Sequence, residues 1–251
     1  MTRIDLNADL GETVDGEPTA DDEAMFAVIS SASIACGGHA GDDVSMRAAV
    51  DRATRFGVAI GAHPSYRDRA GFGRVARFRD PQELAAEIAG QLDALAAAGA
   101  DIRYVKPHGA LYHAVSADPA QAATLATCVA RLAERLGHEV AILGLAGPVV
   151  AAASEAGLPF VHEAFLDRGY LPDGRLVPRG EPGALLDDPH VVADRAVRLV
   201  REGVVEAVDG ALVRADAASL CVHGDSPAAV AMARAVRVAL DGAGIEVRAP
   251  W

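Results

Sequence analysis

The sequence predicts a (β/α) barrel of seven or eight mostly parallel strands, TIM-barrel-like in layout. Three observations carry that prediction. Short apolar strands alternate with helical segments along the 251 residues, the pattern of a parallel sheet covered by helices. Ionisable residues finish nearly every strand; an open doubly wound sheet would gather them near one switch point, whereas a barrel spreads them around its C-terminal face. No linker, composition break or short internal repeat interrupts the series, so residues 1–251 read as one barrel domain, a length such barrels commonly reach.

Arg3 to Leu10 is the first expected strand, with Ile4, Leu6, Ala8 and Leu10 on one face and Asp5, Asn7 and Asp9 on the other. Pro18 to Ile29 reads as a short helix with acidic residues in its first turn. Small residues from Ser31 to Gly38 form the second strand. Asp42 or Asp43 then caps a helix that runs through Phe56 and stops at Gly57. The third strand, Val58 to Ala62, delivers His63, and Pro81 opens a long Ala/Leu helix ending near Gly99. Tyr104 and Val105 start the fourth strand, followed by a helix from Pro119 to Leu136. Glu139 to Leu145 is the fifth strand, with a helix from Gly147 to Gly157 after it, and Pro159 to Phe165 is the sixth. Gly169 to Pro189 is a long loop rich in Gly, Pro and charge, of the kind that usually serves as a lid or binding segment. A helix from His190 to Glu202 precedes Val204–Val208 and Ala211–Val213, which flank the hairpin signal Asp209-Gly210. Ser219 to Val222 is the seventh strand, and a final helix and a strand from Ile245 to Arg248 complete the series.

Hydrophobic residues make up 51% and aromatics only 4%, so the core must be built from Ala, Val, Leu and Ile. The net charge of −12 argues against nucleic acid or an anionic membrane as a partner. Cys36, Cys128 and Cys221 are widely spaced, with no CxxC pair, which fits neither a disulfide framework nor a structural zinc site. With no apolar leader and no membrane-length apolar run, a reducing cytoplasm is the expected home.

The strand ends deliver Asp9 and Glu12, His39, His63, Lys106 and His108, Glu163 with Asp167 and Arg168, and His223 with Asp225. Four histidines at equivalent places in four units are hard to explain as packing, because a buried unpaired polar group costs about 1–3 kcal/mol. Their convergence reads as a reaction site with acid–base groups and cationic stabilisers. On this reading Asp9, His39, His63, Lys106, His108, Glu163 and His223 are catalytic, and Asn7, Asp167, Arg168 and Asp225 bind substrate. Lys106 and His108, two apart on an extended strand, are expected to leave one face as a working pair. A divalent metal on His39, His63 and Asp9 remains an open alternative, although no HxH or HExxH pairing supports it. A P-loop is excluded, since no GxxxxGK[ST] occurs.

Six blocks together, DLNADLGE (5–12), SIACGGHAGD (33–42), GAHPSYRDRAGFGR (61–74), VKPHGALY (105–112), EAFLDRGY (163–170) and CVHGD (221–225), resemble the LamB/YcsF family. They follow the family order and span nearly the whole chain. Ser33, Gly38, Asp43 and His113 depart from the residues usual there (Asn, Phe, Pro and Asn). The resemblance implies a barrel related to that of carbohydrate deacetylases. It also implies ATP-dependent opening of the lactam of 5-oxoproline to glutamate, with ATP used at the level of a complex with subunits B and C. Rival expectations are a stand-alone metal-dependent deacetylase or amidohydrolase and a non-catalytic binding subunit. Homo-oligomer formation is left open.

Overall fold

Strand β1 (Arg3–Leu10) is where the barrel closes, and its alternation explains how. Ile4, Leu6, Ala8 and Leu10 join the apolar layer under the helices, while Asp5, Asn7 and Asp9 face the barrel interior and are nonetheless buried. The computed structural model describes residues 2–77, 79–226 and 228–251. After β1 come a small hairpin, β2 (Thr13–Val14) and β3 (Glu17–Pro18), helix α1 (Asp22–Phe26), β4 (Ser31–Ala35), α2 (Asp43–Phe56) and β5 (Ala59–His63). There follow α3 (Pro81–Ala97), β6 (Ile102–Val105), α4 (Gly109–Val115), α5 (Pro119–Leu136), β7 (Ala141–Gly144), α6 (Pro148–Glu155) and β8 (Phe160–Phe165). The chain continues through α7 (Pro189–Glu202), the hairpin β9 (Val204–Glu206) and β10 (Leu212–Arg214), β11 (Ser219–Cys221), α8 (Ala229–Gly242) and β12 (Glu246–Val247).

Seven parallel strands form a closed ring in the order β1, β4, β5, β6, β7, β8, β11 and back to β1. Asn7 lies opposite both Ser31 of β4 and Cys221 of β11, which fixes the closing register. β12 pairs with Arg3 and Ile4 at the start of β1. Helix α2 shows how sharply the helices are bounded. Asp42 accepts from the amides of Val44 and Ser45, while Ser45 Oγ takes the Asp42 amide, a reciprocal capping box. Gly57, left-handed at φ 67°, ends the same helix. Among the described residues no helix is long and apolar enough to cross a membrane, and the three cysteines are free and buried.

Several expected boundaries moved. The helix expected over Pro18 to Ile29 is only Asp22–Phe26, because Asp15 and Gly16, both at positive φ (52° and 83°), turn the chain into the β2–β3 hairpin and hold Pro18 in a strand. The second strand stops at Ala35, short of Gly38. The fourth stops at Val105, and α4, which no apolar periodicity announced, starts at once after His108. Pairing in the Asp209-Gly210 hairpin is confined to Val204–Glu206 and Leu212–Arg214, and it lies outside the barrel ring. The long loop after β8 is tied down by Arg168, whose Nε and Nη2 donate to the carbonyls of Ala184 (3.0 Å) and Val177 (2.6 Å).

The N-terminal end of the barrel is floored by aromatic rings. Tyr104 fills the space that a side chain at Gly61 would need, a Cβ there falling 2.2 Å from the phenol ring. Its hydroxyl lies 3.1 Å from Ser33 Oγ, and Trp251 stacks beneath it with ring centroids 4.4 Å apart. The Trp251 indole N–H donates to Ser31 Oγ at 2.9 Å. Trp251→Ala should therefore lower unfolding stability by about 2–3 kcal/mol through lost stacking and burial. Trp251→Phe should recover much of that loss, and urea unfolding of the two variants checks both values.

Candidate active site

Lys106 lies one residue past β6, and its amide still bonds the Ala62 carbonyl of β5 at 2.9 Å. The side chain turns into the barrel and is 1% exposed. Its ammonium donates to Asn7 Oδ1 (2.9 Å), Glu163 Oε1 (3.0 Å) and Cys221 Sγ (3.2 Å). Asp9 Oδ1 is closer still, at 2.8 Å, and completes a ring of acceptors around the ammonium. Burial alone would pull the Lys106 pKa down; the charge of Asp9, with Cys221 and Glu163, outweighs it and holds the amine well above its usual range. Burial likewise pushes Asp9 up, but His63 and Lys106 hold it well below the usual carboxylate range. Glu163 also accepts from Asn7 Nδ2 and the Tyr112 hydroxyl, both at 2.8 Å. One layer down, Asp5 accepts the hydroxyls of Ser30, Ser31 and Ser219 at 2.5–2.7 Å.

Above Lys106 stand three imidazoles. His63 Nδ1 donates to the Lys106 carbonyl at 2.7 Å, and its Nε2 is 3.4 Å from Asp9 Oδ2. His108, the residue just before α4, donates from Nε2 to the Phe72 carbonyl at 2.9 Å. His39 Nε2 donates to Glu12 Oε1 at 3.0 Å, and its ring stacks on His108 with centroids 3.6 Å apart. Burial, with the neighbouring imidazoles His39 and His63, pushes the His108 pKa well down; burial lowers that of His39. The loop carrying Phe72 is pressed onto this group. Phe72 sits at φ 50°, an uncommon conformation for an aromatic residue, and its ring meets those of His39 and His108 edge-on. Gly109, at φ 57°, is required where a Cβ would come 2.6 Å from the Gly73 carbonyl.

A cavity of about 410 Å³ opens over this floor, lined by Asp9, His63, Lys106, His108, Tyr112 and His223 below. Phe165, Leu176 and Val177 line an apolar side, and Arg74, Arg168 and Arg179 stand around it. Asp225 is the carboxylate that faces these arginines, 2.7 Å from Arg74 and 3.7 Å from Arg179. Asp167 binds His223 twice, accepting the backbone amide (3.0 Å) and Nδ1 (2.9 Å), so the ring presents Nε2.

Six of the residues singled out in the sequence, Asp9, His63, Lys106, His108, Arg168 and His223, line the cavity. Asn7, His39, Glu163, Asp167 and Asp225 lie behind them, each bonded or ion-paired to a lining residue or, for His39, stacked on one. Lys106 and His108 both line the cavity but contact different groups. The strand ends at Val105, before either residue, and Lys106 meets the carboxylates while His108 joins the imidazoles. Reading by strand ends did not assign Arg74, Tyr112 or Arg179 a role, since all three come from loops or from the unexpected α4. Of the four departures from the family pattern, Gly38 has the clearest account: a Cβ there would come 2.2 Å from Gln91 and 2.5 Å from Ser65, which fill that space. Asp43 is the first helical residue after the Asp42 cap, where a proline would also fit.

The fold and site together define a seven-stranded parallel barrel with a charged interior and a cationic mouth. The chain belongs to the LamB/YcsF family, whose model matches residues 4–250. It is 53% identical over 251 residues to the A subunit of 5-oxoprolinase from Streptomyces griseus, covering 98% of this chain and 99% of that one. A lactam utilization protein from Thermus thermophilus superposes with a TM-score of 0.90 at 41% identity, over 99% of this chain and 100% of the other. A family 4 carbohydrate esterase from Streptomyces lividans shares the fold, with a TM-score of 0.51 at 11% identity, over 98% of this chain and 91% of that one.

Removing the ammonium at position 106 leaves Asp9 and Glu163 buried and facing each other without a cation. Lys106→Met should cost about 3–5 kcal/mol of stability. Adding Glu163→Gln to that variant should restore part of the loss, and denaturant unfolding of both proteins measures it.

Proposed function

We infer that this chain is the A subunit of a 5-oxoprolinase and opens the lactam of 5-oxo-L-proline to L-glutamate. ATP is consumed at the level of the complex formed with subunits B and C, in the cytoplasm. Support comes from the relatives that carry this name along nearly their full length. The observation in the structure that carries it is the cavity itself, with arginines at the mouth, an apolar wall and an acid–imidazole floor. A small ring amide bearing one carboxylate matches that order of surfaces.

In this reading Arg74, Arg168 and Arg179 take the substrate carboxylate, with Asp225 holding Arg74 and Arg179 in place. Guanidinium suits this because it presents several donors in a fixed plane. The ring rests on Phe165 and Leu176, which brings its amide to the floor. His223, fixed in one tautomer by Asp167, accepts a proton from water through Nε2. The oxygen of that water joins the carbonyl carbon, the C–N bond breaks, and the ring nitrogen takes a proton to become the amine of glutamate. An unactivated amide resists this attack, and transfer of the γ-phosphoryl group of ATP to the amide oxygen, with release of ADP, supplies the missing electrophilicity. Breaking the C–N bond then leaves an acyl phosphate, and a second water releases inorganic phosphate from it to give the carboxylate of glutamate. Lys106 lies beside the amide oxygen as a fixed positive charge, which favours the anionic transition state. Asp9, Asn7 and Glu163 hold the ammonium there, and His39, His63 and His108 complete the floor.

Assay of the assembled complex for ATP-dependent glutamate release tests the assignment. Turnover that needs neither ATP nor partner subunits, or full turnover after the floor residues are replaced, would overturn it. Asp167→Asn should lower kcat by about 10²–10⁴ while the melting temperature of the chain changes little. Arg179→Ala should raise KM for 5-oxoproline by roughly 10-fold or more, the value of one charged hydrogen bond. Turnover of 2-pyrrolidinone, the same lactam without the carboxylate, should not change in that variant.

A further inference from the structure

His63 and His108 pose a problem that the protein atoms alone do not solve. His63 Nδ1 faces the Lys106 carbonyl and His108 Nε2 faces the Phe72 carbonyl. A carbonyl oxygen only accepts, so each of these nitrogens carries the ring hydrogen. The other two nitrogens, His63 Nε2 and His108 Nδ1, then present lone pairs, and they lie 3.0 Å apart. Two lone pairs at that distance repel unless a positive charge stands between or beside them. Glu12 Oε1 is 3.7 Å from His108 Nδ1, and Asp9 Oδ2 is 3.4 Å from His63 Nε2. Two lone pairs and two carboxylate oxygens thus gather where the barrel opens to the cavity.

We propose that His63 Nε2, His108 Nδ1 and Glu12 Oε1 bind a divalent first-row transition metal ion, of the zinc type, at the floor of the cavity. This goes beyond the lactam reading and does not rest on it. Four ligands at 2.0–2.1 Å from one ion stand about 3.3–3.4 Å apart in a tetrahedron, and the two separations made by His108 Nδ1, 3.0 Å to His63 Nε2 and 3.7 Å to Glu12 Oε1, bracket that edge. Ligating histidines characteristically donate their second ring N–H to a backbone carbonyl or carboxylate, and both histidines here do so. Three protein ligands leave one position open toward the cavity, the arrangement of a catalytic metal and not of a structural one.

His39 belongs to the same group of four buried donors within 4.8 Å, but its role differs. Its ring is parallel to His108 within 4° at 3.6 Å. Two stacked rings aim their in-plane lone pairs side by side and cannot both point at one ion. His39 instead fixes Glu12 through Nε2, which makes it a positioning residue. Lys106 is not an obstacle, because Asp9 stands with Oδ1 on the ammonium and Oδ2 toward His63. A second group, Asp9, Cys221 and His223, also brings donors together. Burial pushes the Cys221 thiol well up and its sulfur already accepts from Lys106, which disfavours a thiolate ligand there.

The test uses the intact chain, freed of metal with a chelator and titrated with Zn²⁺ and Co²⁺. One equivalent should bind by calorimetry, and Co²⁺ should show the visible absorption of a four- or five-coordinate site. His63→Gln, His108→Gln and Glu12→Gln should each weaken binding by more than the about 10–100-fold expected for an outer partner such as His39→Gln. Imidazole ¹⁵N shifts in the wild-type chain give a second readout that needs no variant. Zn²⁺ should move His63 Nε2 and His108 Nδ1 and leave His63 Nδ1 and His108 Nε2 as they were. Absence of stoichiometric binding would overturn the proposal. So would ¹⁵N shifts showing a proton shared between the two facing nitrogens before and after Zn²⁺ is added, or unchanged binding in properly folded histidine variants.

Discussion

One buried ammonium organises this barrel. A lysine that is 1% exposed would ordinarily lose its proton or its place. Lys106 keeps both because three elements of the ring bring acceptors to it: Asn7 and Asp9 from β1, Glu163 from β8 and Cys221 from β11. The dependence is mutual. Asp9 and Glu163 could not be buried so close together without the cation, and the strands that carry them come within its reach only because β11 pairs with both and closes the ring. The interior is therefore a layered polar network in place of the apolar core usual for such barrels. Apolar cohesion is left to the shell between strands and helices.

The sequence carried much of this. Alternation along β1 put Asp5, Asn7 and Asp9 on one face, and polar strand ends announced a ring of groups around one opening. What stayed hidden depends on distance in the chain. Asn7 meets Glu163 across 156 residues and Ser219 across 212, and no local pattern encodes either contact. The opposite fates of Lys106 and His108 turn on a strand that stops at Val105 and a helix that starts at Gly109. A short helix with only Leu111, Tyr112 and Val115 buried offers too few turns to show a period. The cations of the mouth come from irregular loops, where charge reads as ordinary solvated surface until the fold sets it over a cavity.

Two loops turn the ring into a site. The segment around Phe72 bends through a left-handed backbone to place its carbonyl on His108 and its ring across two imidazoles. The segment after β8 is held by Arg168, which gives two donors to loop carbonyls. Arg168 thus shapes the wall and contributes charge to the mouth with one side chain. On a chain carrying −12 overall, the arginines around the cavity mouth are a local reversal of sign that draws an anion there.

The aromatic floor has a consequence for how the molecule is made. Trp251 reaches Ser31 across 220 residues, and β1 acquires its second neighbour when β11 arrives. A ribosome delivers β1 first and these partners last. Until β11 is made, β1 has one open edge and no Trp251 beneath it, and water must serve the Asp5 oxygen that Ser219 later takes. Ring closure is therefore a long-range event that the earlier strands must wait for, of the kind that slows folding.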